Sequence, residues 1–89
     1  MLESTIQKKI ISKLKKNGWY VNKVILCNNP GHPDIEAYKD NRAIFIEVKQ
    51  PGCKPTELQL YRHRELRKQG FEVYVMTSDK DLKNIIQIR

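Results

Sequence analysis

The hydrophobic positions of the N-terminal segment repeat at helical spacing. From Leu2 to Lys16 an apolar residue occurs every three or four positions, and lysines occupy much of the remaining surface. The pair Asn17-Gly18 that follows is typical of a helix C-terminus. These features predict an amphipathic first helix over residues 2–16.

Runs of bulky residues predict four strands after this helix. β-Branched and aromatic side chains favour extended structure over 19–25, 34–38, 43–49 and 71–77. The connection at 39–42 is short and polar, which is typical of a tight turn. We therefore expect the second and third strands to form an antiparallel hairpin.

Capping patterns mark the remaining helices. Thr56 followed by Gln59 has the spacing of a capping box, and it predicts a second helix that runs to about Gln69 and ends at Gly70. A helix between the third and fourth strands implies a right-handed crossover and parallel pairing. A last short helix is expected after Ser78. The order αβββαβα predicts the α/β class, with one mixed sheet flanked by helices.

Length and charge limit the possible functions. The chain has 89 residues, the size of a single domain spanning residues 1–89. It carries 17 Lys and Arg against 10 Asp and Glu, a formal net charge of +7. Such an excess favours a polyanionic partner, foremost nucleic acid, although a merely solvated basic surface has the same composition.

The cysteines and the N-terminus indicate the compartment. Cys27 and Cys53 are too few for a disulfide framework, and Glu3 stands where a signal peptide needs an apolar run. No apolar run approaches the ~20 residues of a membrane-spanning helix. We therefore expect an intracellular protein with free thiols. Neither cysteine stands at a paired-ligand spacing from His32 or His63, so no zinc site is predicted.

Two charges break the pattern of the third strand. Alternation places Ile44, Ile46 and Val48 on one face, and Glu47 and Lys49 on the other. One explanation is an ion pair at a frayed strand end. The other is a functional site, because the carboxyl ends of strands in α/β sheets often open into a binding crevice.

Two further acids bear on that choice. Asp34 starts the second strand, and in an antiparallel hairpin this position lies beside Glu47. Two adjacent carboxylates repel unless a proton or a cation joins them, and Mg²⁺ or Mn²⁺ prefers such oxygen ligands. Glu3 lies within the apolar stripe of the first helix. Asp34 could also be a plain turn residue and Glu3 a plain helix-terminal acid, and Glu36 is expected to be exposed.

The combination of motifs resembles a known nuclease family. "GHPD", then "IEVK", then Gln59 early in the next helix, on an αβββαβ frame, is similar to the PD-(D/E)xK nucleases. Within them the sequence resembles the virus-type replication-repair nuclease (VRR-NUC) domains, in the short stand-alone form found in bacteriophages. The resemblance implies a restriction-endonuclease-like fold and a DNA endonuclease that depends on Mg²⁺ or Mn²⁺.

The resemblance also assigns the site residues. The implied metal ligands are the side chains of Glu3, Asp34 and Glu47 and the carbonyl of Val48, and the implied catalytic residues are Asp34, Glu47, Lys49 and Gln59. It further implies a homodimer that cuts branched DNA such as a Holliday junction, in the cytoplasm of a host cell if a phage encodes it. A nickase or flap nuclease on the same fold, and a non-catalytic basic DNA-binding module, remain open.

Cations on both long helices are candidates for contacts with DNA phosphates. The candidate residues are Lys8, Lys9, Arg62, Arg64, Arg67 and Lys68. A solvated charged face is the alternative for each helix. His63 falls inside the basic run of the second helix, and Tyr61 is expected to pack inward.

Overall fold

A computed structural model of the chain describes residues 2–88. Its elements are α1 (Glu3–Lys16), β1 (Tyr20–Lys23), β2 (Ile35–Lys39), β3 (Arg42–Val48), α2 (Glu57–Lys68), β4 (Glu72–Met76) and a closing 3₁₀ helix (Asp79–Asn84). The predicted order of elements and the α/β class are confirmed. β1 is shorter than predicted, because its pairing with β2 ends at Lys23, and Ile25 and Leu26 belong to an exposed loop.

The four strands form one mixed sheet in the order β1-β2-β3-β4. β2 pairs antiparallel with both β1 and β3, and β3 pairs parallel with β4 through the α2 crossover, as predicted. Asp40 and Asn41 have positive φ angles of 49° and 67° in the turn between β2 and β3. These are the residue types and the backbone region that a two-residue hairpin turn requires. β3 is therefore an inner strand.

The main core lies between α1 and one face of the sheet. Its residues include Ile6, Ile10, Leu14, Ile35, Ala37, Ile44, Ile46, Val48, Met76 and Leu82, all of them buried. The predicted apolar face of β3 is thus confirmed. Each of the larger aliphatic side chains in this core contributes roughly 1.5–3 kcal/mol by leaving water, and together they hold the sheet as a rigid platform.

The other face of the sheet carries α2 and is much less apolar. The buried position of α2 is His63, at 0% exposure, whereas Tyr61 is 47% exposed. The prediction that Tyr61 packs inward is therefore wrong, because His63 occupies the inward position of this helix. Polar contacts help to attach α2, among them the hydrogen bond from Arg67 Nη2 to the Val73 carbonyl at 2.7 Å. Within residues 2–88, no helix has both the length and the apolar character needed to cross a bilayer.

Candidate active site

The end of β3 presents Glu47 and Lys49 on the α2 side of the sheet. Glu47 is only 1% exposed, although it is charged in water at neutral pH. Lys49 lies one residue beyond the strand, and its amide donates to the Met76 carbonyl at 3.0 Å, so the backbone stays paired with β4. The strand therefore holds both side chains at defined positions.

Asp34 lies beside this strand end, as the hairpin geometry predicts. Ile35 pairs with Ile46, which puts Asp34 opposite Glu47. The Val48 amide donates to Asp34 Oδ2 at 2.8 Å, and the Asp34 carbonyl accepts from the Val24 amide at 2.8 Å. Asp34 is thus attached to both neighbouring strands and is more than an isolated turn residue.

Two side chains of α2 bind the Glu47 carboxylate, one at each oxygen. Gln59 Nε2 donates to Oε2 at 3.2 Å, and His63 Nε2 lies 3.2 Å from Oε1. Gln59 also forms the predicted capping box: its Oε1 accepts from the Thr56 amide at 2.8 Å. The Gln59 side chain therefore both caps the start of α2 and contacts the buried acid Glu47.

The environment of Glu47 keeps its carboxyl group protonated when no cation is present. Burial first, and then the neighbouring carboxyl group of Asp34, raise its pKa to about 9. The charge of Glu3 acts in the same direction, while the charge of Lys49 opposes it. The four sequence-predicted groups, Glu3, Asp34, Glu47 and Lys49, therefore lie close enough to interact, and Asp34 and Glu47 form a pair of adjacent acids.

The loop that precedes Asp34 rests on the start of α2. Gly31 has a φ of +85°, and a Cβ added there would lie 2.8 Å from Leu58 Cγ and 3.2 Å from the Leu58 backbone. Glycine is thus required both by the left-handed backbone and by the close approach. Arg62 Nε donates to the Pro30 carbonyl at 2.9 Å and ties the same loop to α2. The position of Asp34 therefore depends on how α2 packs against this loop.

The acid pair is suited to a hard divalent cation. Mg²⁺ is usually bound through one or two carboxylates and keeps several waters, and such a cation would relieve the repulsion between Asp34 and Glu47 that a proton on Glu47 otherwise relieves. The amide and carbonyl of a strand residue face the same edge, so we expect the Val48 carbonyl to face Asp34 as its amide does. Among the described residues, no three His, Cys, Asp or Glu side chains form a metal-holding group. Glu3 as a ligand stays a prediction.

The predicted DNA-binding cations fall into two layers. On α1, Lys8 and Lys9 are exposed and line a shallow cleft with Lys80. On the other side of the sheet, Arg64 and Lys68 are exposed along the outer surface of α2.

Arg62 and Arg67 are tied to the protein itself. Arg62 binds Pro30 and also donates to Glu65 at 2.8 Å, and Arg67 binds the Val73 carbonyl. Both residues therefore hold α2 in place, and their contacts with DNA stay a prediction.

Sequence reasoning missed the role of two side chains. His63 was grouped with the exposed cations but is fully buried against Glu47; its spacing of four residues from Gln59 was the available signal. Glu36 was expected to be exposed, yet it accepts from Tyr38 at 3.0 Å and binds His32 at 2.8 Å. That error arose because the loop conformation that brings His32 next to Glu36 on β2 has no local sequence signature.

Comparisons with known proteins find a nuclease and VRR_NUC domains among the proteins similar to this chain. No family model matches the chain. It is 36% identical over 85 residues to "Putative nuclease p44" of Acyrthosiphon pisum secondary endosymbiont phage 1, covering 94% of this chain and 90% of that protein. A solved structure described as "VRR_NUC domain" matches with a TM-score of 0.84 at 30% identity, over 96% of this chain and 94% of that one. A "VRR_NUC domain protein" matches with a TM-score of 0.81 at 18% identity, over 98% and 86%, and supports the fold alone.

Proposed function

This chain is a nuclease of the VRR-NUC family, and from that premise we propose that it is a metal-dependent endonuclease that hydrolyses phosphodiester bonds in branched DNA as a homodimer. The observation that carries the proposal is the acid pair of Asp34 and Glu47, with Lys49 on the same strand face as Glu47. Burying an acid such as Glu47 beside a second carboxyl group is costly unless the pair binds something. A purely structural sheet would gain from an apolar residue at Glu47.

The roles of the site residues follow from their chemistry. Asp34, Glu47 and the Val48 carbonyl would hold Mg²⁺ or Mn²⁺. A bound ion of this kind neutralises charge on the phosphate and lowers the pKa of a coordinated water. Lys49 donates hydrogen bonds from Nζ, which orients the attacking water and stabilises the charge that grows on the phosphate oxygens. Gln59 keeps the Glu47 carboxylate oriented through Oε2.

The exposed cations of α2 would contact DNA phosphates. We expect the double variant Arg64→Ala/Lys68→Ala to weaken binding at every sequence, and to lower the slope of log K against log salt by about 1 per residue removed. Fluorescence anisotropy of a labelled duplex between low and physiological salt measures that slope. Lys15→Ala/Lys83→Ala removes the same charge outside the predicted DNA-binding set and should change the slope much less. An unchanged slope in the α2 variant would contradict this DNA interface.

The substrate preference is tested by direct competition among DNA structures. Purified protein is incubated with a four-way junction, a flap, a nicked duplex and a linear duplex, each with Mg²⁺, Mn²⁺ or EDTA. We expect cleavage of the junction in either metal and none in EDTA. Preferential cleavage of the flap, or cutting of only one strand, would replace the junction assignment with the flap-nuclease or nickase alternative. Binding without cleavage under any metal would favour a non-catalytic DNA-binding module.

The proposed homodimer is supported by an exposed apolar pair. Ile25 and Leu26 are 86% and 93% exposed, in the loop that leads to the site. Adjacent aliphatic side chains exposed to this degree are typical of a contact surface. We expect light scattering to give twice the 10.5 kDa chain mass for the natural protein, and the chain mass itself for Ile25→Ser/Leu26→Ser. A natural protein that stays monomeric at tens of micromolar would contradict the dimer.

A further inference from the structure

The inward position of α2 is occupied by a histidine where packing alone would favour an apolar residue. His63 is 0% exposed, and its Nε2 lies 3.2 Å from Glu47 Oε1. Its Nδ1 is buried and has no hydrogen-bond partner among the described residues. A buried polar atom without a partner costs on the order of 1–3 kcal/mol. Leucine at this position would avoid that cost.

The unpartnered atom also indicates which tautomer is present. A proton on Nδ1 would be a buried donor with no acceptor, whereas a proton on Nε2 has the Glu47 carboxylate oxygen in front of it. The tautomer with the proton on Nε2 therefore leaves no buried N–H group without an acceptor, and His63 acts as a donor to Oε1. The group left without a hydrogen bond is then the lone pair of His63 Nδ1.

His63 and Gln59 act on Glu47 from the same helix face, one turn apart. Gln59 donates to Oε2 and is itself held through Oε1 by the Thr56 amide. His63 donates to Oε1 from four residues further along. Two donors on two oxygens define the plane of the carboxylate, whereas one donor would leave it free to rotate about that hydrogen bond.

We propose that His63 is a positioning residue for the active site, which fixes the plane of the Glu47 carboxylate so that Asp34 and Glu47 together present their oxygens to the divalent ion. This inference rests on the proposed function. Side chains that orient metal ligands in this way typically change metal affinity or activity by 10- to 100-fold when they are replaced. The buried lone pair of Nδ1 is then the cost of having a rigid donor at this position.

Two variants of matched size separate positioning from packing. His63→Leu removes the donor but keeps the buried volume, and we expect it to fold with a melting temperature equal to or above that of the natural protein. His63→Gln places an amide nitrogen close to the position of Nε2 and restores the donor. Titration calorimetry with Mn²⁺ should give 10- to 100-fold weaker binding for His63→Leu, and binding within a few-fold of natural for His63→Gln. Cleavage measured against Mg²⁺ concentration should follow the same order.

The outcomes distinguish this inference from the function on which it rests. If the natural protein cleaves DNA and His63→Leu binds Mn²⁺ and cleaves equally well, His63 is only a packing residue and the inference is wrong. If both variants lose affinity and melt at lower temperature, the role is structural and the inference is equally wrong. If the natural protein binds Mn²⁺ in a His63-dependent way but cleaves no DNA, the inference stands as a metal-site assignment and the endonuclease proposal fails.

Discussion

Replacing Glu47 by Gln is expected to abolish DNA cleavage while making the metal-free protein more stable at neutral pH. Gln keeps the size of the side chain and an acceptor for Gln59, but it removes the negative charge that would bind the cation. Loss of one electrostatic group from an active site typically reduces the rate by about 10²–10³-fold. Binding of DNA should persist, because a negative charge is removed and no cation is lost.

The stability effect follows from the pKa of Glu47. Its folded-state pKa, raised to about 9 by burial and by Asp34, lies above the usual value of 4.5. The folded metal-free protein therefore holds a proton that the unfolded chain releases, and its stability falls as pH rises through this window. Gln cannot ionise, so the variant escapes that loss. We expect a gain on the order of 1–3 kcal/mol near pH 8, or several degrees in melting temperature.

Thermal melts from pH 5 to 9 with and without Mn²⁺ test this prediction alongside cleavage assays. Glu72→Gln is the matched control: Glu72 is also a strand glutamate, but it binds Arg42 through two hydrogen bonds of 2.7 Å and lies on the opposite face of the sheet. That partly exposed pair contributes about 1 kcal/mol at most, and the control should cleave normally. Cleavage by Glu47→Gln at the natural rate would remove Glu47 from the site.

Replacing Lys49 by Met is expected to abolish cleavage without weakening metal binding. The Lys49 amide donates to the Met76 carbonyl at the strand end, and the substitution leaves this backbone hydrogen bond in place. Its ammonium group lowers the pKa of Glu47 and therefore acts on the same small site. Loss of this positive charge should reduce the rate by about 10²–10³-fold. Affinity for Mn²⁺ should stay equal or rise, because a cation next to the metal site is removed.

Lys23→Met is the matched control for this variant. Lys23 pairs with Ile35, so its side chain points to the α1 face of the sheet. It lies at the same end of the strands as Lys49. Both variants lose one positive charge and should bind DNA with a similarly small loss of affinity. Only Lys49→Met should stop cutting. A Lys49→Met protein that cleaves normally, or one that loses Mn²⁺ binding as Glu47→Gln does, would contradict the assigned role.

The parts of the fold that depend on local pattern were predictable. The apolar stripe of α1, the capping box at Thr56 and the hairpin between β2 and β3 all rest on residues within one element or one turn. The juxtaposition of Asp34 and Glu47 follows from the same hairpin, because register is determined by a short turn and an apolar face. The strand limits were less predictable, since β1 ends at Lys23, where its antiparallel partner β2 begins, and no residue type marks that point.

The attachment of α2 was not predictable in the same way. Its sequence has few apolar residues, and a basic run that includes His63 is typical of an exposed helix. Whether a histidine is exposed or buried depends on what faces it, and that partner, Glu47, lies sixteen residues away in sequence. The same reason explains the wrong prediction that Tyr61 packs inward: His63 occupies the inward position of α2, and Tyr61 is exposed.

The sequence by itself determined the class of fold, the family resemblance and which acids and lysine belong to one strand end, because these depend on periodicity, capping and hairpin register. Only the tertiary structure decided how Glu47 is held. Its pKa, its two hydrogen-bond donors and its burial arise from α2 packing across the end of β3. Burial and the distance between non-local groups control these electrostatic effects, and neither quantity is a property of a residue or of its neighbours in the chain.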